Sequence, residues 1–179
     1  MNYQKTSVDD MNRLTVEEYH AAPKLRLTVV LDNVRSQHNI GAVFRTADAF
    51  RLEKVCLCGI CCCPPNQEIH KTALGAEQSV EWQYYKNTED AINDLHADGY
   101  VVMSVEQASN STFLEDIRLD SNRKYAVVLG HEVWGVSQTV IDMSDGCIEI
   151  PQYGTKHSLN VSVTAGIVMY ELARQLRNS

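Results

Sequence analysis

Three apolar runs in this chain end in the same way, and that repetition limits the folds open to it. Residues 27–31 lead through polar residues to NIGAVFRTA (39–47), residues 125–129 run into LGHEVWGVS (129–137), and residues 147–150 open IPQYGTKHSLNVSVTAGI (150–167). The first two runs are apolar or β-branched throughout rather than alternating, the pattern of strands covered on both faces. Each is followed by glycine or small polar residues and then by apolar residues at helical spacing. Buried strands alternating with helices predict an α/β fold with a parallel sheet flanked by helices. Ligands on such sheets bind beyond the strands' carboxyl ends, so the three turns predict one shared site.

The rest of the chain reads in the same rhythm. Thr15-Val16-Glu17-Glu18 has capping-box form, so a short helix is expected within an N-terminal extension of residues 1–25. Further strands are expected at 54–58, 79–84 and 100–105, with helices at 40–50, 69–74, 88–98 and 137–143. Residues 107–122 read as surface loop. Residues 160–176 close the chain as a long helix, with Val161, Ala165, Val168, Leu172 and Leu176 on one face. No repeat or linker divides the chain, and 179 residues suit one domain, 1–179, since a domain of about 150 residues already buries roughly 70% of its unfolded surface.

A formal charge of -7 argues against a protein that coats nucleic acid, while leaving room for a local phosphate-binding patch. MNYQKTSVDD lacks the basic start and apolar core of a signal peptide, and no apolar run approaches the ~18 residues of a membrane span. A cytoplasmic protein without membrane contact is therefore expected. Five of the six cysteines lie between Cys56 and Cys63. Cys58 and Cys61 have the spacing of half a zinc site, but the second pair that a closed site needs is missing. Cys56 and Cys58 are read as small buried hydrophobes on a strand, and no metal is expected.

Two nucleotide motifs fail: G-x-G-x-x-G does not follow the first strand, and no glycine-rich loop ends in Lys-Ser or Lys-Thr. What is present is an ordered set. Asn39, Gly41 and Arg45 come first; Leu129, Gly130, Glu132, Gly135 and Ser137 second; Ile150, Pro151, Gly154, Ser158, Leu159, Asn160, Val161 and Ser162 third. From about Leu27 to the C-terminus this resembles the SpoU, or TrmH-like, class of the SPOUT RNA methyltransferases. His131 departs from the pattern, because relatives often carry Asn or another small polar residue there.

The resemblance implies a SPOUT fold with a C-terminal deep trefoil knot, the chain from about Leu129 threading through a loop, although general topology makes knots very rare. It further implies a homodimer, S-adenosylmethionine as cofactor, and methylation of a ribose 2'-hydroxyl of RNA, tRNA favoured over rRNA. By position the cofactor would meet Val105, Leu129, Gly130, Ile150, Ser158, Leu159 and Asn160. Arg45, Asn39, Glu132, Ser158 and Asn160 are the catalytic candidates. Read alone, Asn39 and Glu132 could be turn formers, and Ser158 or Asn160 a helix cap. Lys24, Arg26, Arg35, Lys71 and Lys156 are candidate phosphate contacts. The alternative is a SPOUT-fold RNA-binding protein without turnover.

Overall fold

A computed structural model describes residues 1–7 and 9–177. Val8 of the expected N-terminal extension, and the last two residues of the expected 1–179 domain, lie outside the described residues. The chain opens with a 3-10 turn, Asp9–Met11, and α1, Val16–Ala21. Thr15 accepts from the Glu18 amide at 3.2 Å while the Glu18 carboxylate accepts from the Thr15 amide at 2.8 Å, completing the capping box.

The elements that follow are β1 Leu25–Asp32, α2 Gln37–Ala49, β2 Leu52–Cys58, α3 Gln67–Ala73, α4 Ala76–Ser79, β3 Glu81–Tyr85 and α5 Thr88–Ala97. They continue as β4 Tyr100–Val105, β5 Thr112–Phe113, β6 Lys124–Leu129, α6 Gln138–Met143, β7 Gly146–Glu149 and α7 Val161–Arg177. The strands form one sheet in the order β3-β2-β1-β6-β4-β7-β5, and every neighbouring pair is parallel. All carboxyl ends therefore lie along one edge.

The sheet divides the core in two, as an apolar strand buried on both sides must. On β1, Leu27, Val29 and Leu31 face the larger cluster with Phe44 of α2 and Met169 and Leu172 of α7. Val30 points the other way, with Ala91, Ile92 and Leu95 of α5 and Val140 of α6. Along α7, Val161, Ala165, Val168 and Leu172 are buried and Leu176 is partly so, as their spacing predicts. The strand order is not sequential: β6 sits between β1 and β4, so the chain returns into the middle of the sheet before α7 packs on α2 and β1.

Three expectations shift. Helix α2 begins at Gln37, capped by Ser36, so Asn39 lies in its first turn rather than ahead of it. Ser79 closes α4 instead of opening a strand. The expected loop at 107–122 contributes β5, which pairs with β7 through Thr112 and Phe113 and was invisible because a two-residue strand has no period to read. Among the described residues, no helix is long and apolar enough to cross a membrane.

One buried carboxylate holds the carboxyl edge together. Asp32, 2% exposed at the end of β1, accepts from Thr88 Oγ1 at 2.5 Å and Asn33 Nδ2 at 2.8 Å, and from the Ser137 amide at 3.1 Å. It thereby ties the starts of α5 and α6 to β1. Asp32→Ala would leave the Thr88 hydroxyl and the Ser137 amide without their acceptor. A loss of ~2–4 kcal/mol is expected, measured as a lower urea midpoint with an unchanged m-value.

Candidate active site at the carboxyl edge

The ends of β4, β6 and β7 open onto a cleft of about 470 Å³, within the usual range for small-ligand sites of about 300–1,000 Å³. Val105, Leu129, Ile148, Ile150 and Leu159 give it apolar walls, and Glu106, Glu132 and Glu149 put three carboxylates on its lining. Gly130, Ser158 and Asn160 line it as well. Every residue expected to meet a cofactor therefore lies along this one cleft.

Backbone approach explains Gly130. A Cβ there would lie 2.0 Å from the Gly135 carbonyl carbon and 2.1 Å from the Val136 amide nitrogen, closer than real Cβ atoms come. The segment 130–136 can fold back against the end of β6 only because this side chain is absent. Gly41 answers a different need: a Cβ would meet Thr72 Oγ1 at 2.1 Å and the Ile69 carbonyl oxygen at 2.3 Å. Its place in the first motif is explained by the seating of α3 on α2.

Three of the candidate polar residues form a hydrogen-bonded chain, although they are separated by up to 121 positions in sequence. Glu132 Oε1 accepts from the Ser36 amide at 2.8 Å and Asn39 Nδ2 at 3.1 Å, and Oε2 accepts from the Arg35 amide at 3.0 Å. Asn39 Oδ1 then accepts from Asn160 Nδ2 at 3.2 Å. Asn160 Oδ1 in turn accepts from the Ser162 amide at 2.9 Å and its hydroxyl at 2.6 Å, capping α7. The cap and the link to Asn39 use different atoms of one amide, so both readings of Asn160 hold together.

Partial burial of Glu132 works to raise its pKa. The amides of Arg35, Ser36 and Glu132 itself, with the Asn39 side chain, outweigh that and hold the carboxyl below its ordinary value. The group is an anionic clasp joining the segment after β1 to the segment after β6. Its oxygens are taken up by protein donors, which places it among positioning groups rather than proton acceptors.

Ser158 is exposed on the cleft lining and hydrogen-bonds to no other described residue. Arg45 is not on the lining. It is exposed on α2, ~9 Å along the axis from Asn39 and about 120° around it at 1.5 Å and 100° per residue. No ion pair links it to Asp48, whose carboxyl is held above its ordinary value by burial, partly opposed by a bond from Ser79.

Of the candidate phosphate contacts, Lys24 is engaged elsewhere, its ammonium donating to the carbonyls of Tyr19, His20 and Ala22 at the end of α1. Lys71 pairs with Glu68, and Arg26 reaches the Asn122 carbonyl at 3.4 Å. Arg35 and Lys156 keep side chains with no such partner among the described residues. Sequence reasoning missed Glu106, just past β4, which accepts from the Val136 amide at 3.0 Å and the Gln107 amide at 2.9 Å. Its position one residue beyond Val105 was the available signal.

Cys56, Cys58 and Cys61 are buried, and the remaining cysteines partly so. Burial raises the Cys56 thiol to about 11 and the Cys61 thiol to about 12, and pushes Cys58 up as well, so these are thiols and not thiolates at neutral pH. Among the described residues, no group of three or more His, Cys, Asp or Glu side chains is placed to hold a metal ion.

A parallel sheet whose carboxyl edge carries a cleft walled by returning chain and lined with carboxylates defines an α/β ligand-binding domain. The SpoU rRNA Methylase family profile matches residues 26–170, and the chain belongs to that family. It is 30% identical over 166 residues to the tRNA (guanosine(18)-2'-O)-methyltransferase of Thermus thermophilus, covering 93% of this chain and 84% of that one. A Staphylococcus saprophyticus protein assigned to the TrmH family of tRNA/rRNA methyltransferases is 32% identical over 160 residues; these are 89% of this chain but 63% of that protein. The chain thus spans about three fifths of the length of such staphylococcal relatives. Among solved structures, the TrmH/SpoU tRNA modifying enzyme of A. aeolicus superposes with a TM-score of 0.77 at 27% identity, covering 87% of this chain and 77% of that one. The AdoMet-bound rRNA methyltransferase of Sinorhizobium meliloti also gives 0.77, at 28% identity, over 86% of this chain and 61% of that one.

Proposed function

We propose that the chain, acting as one catalytic domain in the cytoplasm, transfers a methyl group from S-adenosylmethionine to a ribose 2'-hydroxyl of RNA, with tRNA favoured over rRNA. The observation that carries this reading is the Glu132–Asn39–Asn160 chain of hydrogen bonds beside the carboxyl-edge cleft. It joins the three segments that the family motifs occupy. Similarity to the Thermus thermophilus tRNA enzyme and to the AdoMet-bound Sinorhizobium meliloti structure supports the substrate class and the cofactor.

The cleft fits such a cofactor. When bound, S-adenosylmethionine supplies a methyl group activated by a positively charged sulfur. Leu129, Ile148, Ile150 and Leu159 would offer an apolar wall to an adenine ring, and Glu106 and Glu149 put carboxylates on the same lining, a set suited to a cationic ligand. Gly130 lets the backbone close around the cleft. Gly130→Ala is expected to reduce S-adenosylmethionine affinity at least tenfold, measured by calorimetry, because segment 130–136 must move away from β6.

Arg45 is assigned to the substrate side. A guanidinium holds its proton too tightly to be a useful base; it holds the RNA phosphate and donates to the ribose oxygen, which gains negative charge as its own proton departs and spends it in the new C–O bond that replaces the methyl's bond to sulfur. The hydroxyl proton leaves to phosphate or water. Because Arg45 stands outside the lining of its own cleft, the reading includes a homodimer in which Arg45 serves the partner's cleft. Exposed Val163, Ile167 and Tyr170 on α7 give such a dimer an apolar face, and the Tyr170 ring already packs on Phe50 at the end of α2, 6.1 Å between centroids. The deep trefoil knot belongs to the same proposal. Insertion of β6 between β1 and β4, followed by the return of α7 onto α2 and β1, is the arrangement that supports it.

The test is a map of 2'-O-methyl marks in RNA from cells with and without this gene. A mark that disappears with the gene and returns with the purified protein plus S-adenosylmethionine is expected. An unchanged map overturns the methyltransferase reading.

A further inference from the structure

The segment between Gly130 and Val136 carries an aromatic pair with no role in the site described so far. Trp134 is 81% exposed and Val133 63% exposed, yet both line the mouth of the cleft together with His131. The turn that presents them is built with care. His131 and Gly135 exchange backbone hydrogen bonds at 3.0 and 2.8 Å, Gly135 adopts φ +68°, and His131 Nδ1 accepts from the amides of Val133 at 3.0 Å and Trp134 at 3.4 Å. Held in this way, the imidazole lies beside the indole, 6.5 Å between centroids with the planes 29° apart.

An indole left in water forgoes the burial that would stabilise the fold, and no core contact compensates for it here. A flat, rigid aromatic surface at the rim of a cleft matches the chemistry of a nucleobase. Sequence-tolerant binding of unpaired RNA rests on bases stacked against such rings. The neighbouring lining offers Val133 and carboxylates rather than lysine or arginine, so it suits a base and not a phosphate. Resting on the methyltransferase reading above, we infer that Trp134, backed by His131, is a stacking platform for an unpaired nucleobase of the RNA, next to the ribose presented to the cleft. Trp134 is thus a positioning residue. It fixes the nucleotide's plane while the cleft and Arg45 handle the reacting atoms.

The test uses the full chain with its second tryptophan removed, Trp82→Phe, so that all indole fluorescence comes from Trp134. Total tRNA is expected to quench it strongly, whereas S-adenosylmethionine alone and inorganic polyphosphate, which offers charge without bases, leave it within a few per cent. In the otherwise unaltered chain, Trp134→Ala is expected to weaken total-tRNA binding about tenfold, the scale of one lost base stack. S-adenosylmethionine affinity and oligomeric state stay unchanged, and Trp134→Phe recovers most of the loss. Quenching by S-adenosylmethionine alone would make Trp134 a cofactor cover, and a changed oligomeric state would make it a subunit contact; either overturns the inference. Equal quenching by polyphosphate, or tRNA binding unaltered in Trp134→Ala, overturns it too. These readouts need no turnover, so tRNA quenching in a protein that methylates nothing would retain the platform while rejecting the methyltransferase reading.

Discussion

Arg45→Ala is expected to lower single-turnover methyl transfer about 100- to 1,000-fold at saturating S-adenosylmethionine, the range seen when one donor to a developing oxyanion is removed. RNA affinity, measured separately, should fall less, because other cations and the bases still hold the strand. Stability should be unchanged, since Arg45 is exposed and bonded to nothing among the described residues. Arg45→Lys keeps the charge but not the planar pair of donors, and is expected to recover phosphate binding more than rate. Its position off its own cleft gives a sharper form of the experiment. At an S-adenosylmethionine concentration that fills the parent cleft but not the Gly130→Ala cleft, mixing Arg45→Ala subunits with Gly130→Ala subunits pairs a sound cleft with a sound arginine in the same dimer, and activity above that of either variant alone is expected. Full turnover in Arg45→Ala itself would remove the residue from the reaction.

The parallel sheet could be read from the sequence because burial on both faces leaves a local mark. Residues such as Val29, Val30 and Leu31 are apolar without alternation, and only a covered strand tolerates that. The motifs were legible for a related reason: Gly130 and Gly41 each stand where a Cβ would collide with another segment's backbone or side chain. What stayed hidden depends on contacts between distant parts of the chain. Nothing near Glu132 announces that its acceptors will be filled by the amides of Arg35 and Ser36, 97 and 96 positions away. Nothing near Glu106 shows that it will hold the Val136 amide. The strand order is likewise non-local, because β6 has the same apolar pattern whether it lies at an edge or between β1 and β4.

Cations show the opposite error. Lys24 and Lys71 have the composition of phosphate contacts, yet the first caps the carbonyls ending α1 and the second pairs within α3. A lysine's reach spans several partners, so its sequence position says little about which one it takes. Arg45, with no partner of its own among the described residues, remains available for an external anion.

Glu132 gives the second large effect, and its chemistry sets what each variant should do. Oε1 takes two donors and Oε2 takes one. Glu132→Gln must turn an amide NH2 toward at least one backbone N–H, setting donor against donor where the carboxylate had accepted. A loss of about 1–3 kcal/mol is expected from the unsatisfied amide, and methyl transfer should fall at least 100-fold as Asn39 and the segment after β1 lose their common anchor. Glu132→Asp keeps the charge but is one methylene short of the Arg35 and Ser36 amides, so it should recover only part of either loss. The pH dependence separates charge from shape. Because the folded carboxyl is held below its ordinary value, its stabilisation is complete above the unfolded carboxylate pKa of about 4.3 and disappears as pH falls through the lowered folded value. The parent chain should therefore lose stability in acid more steeply than Glu132→Gln, the two urea midpoints drawing together as pH falls toward 3. A constant gap between them at every pH would mean that Glu132 acts by its shape alone and that its ionised form does not hold the segments after β1 and β6 together.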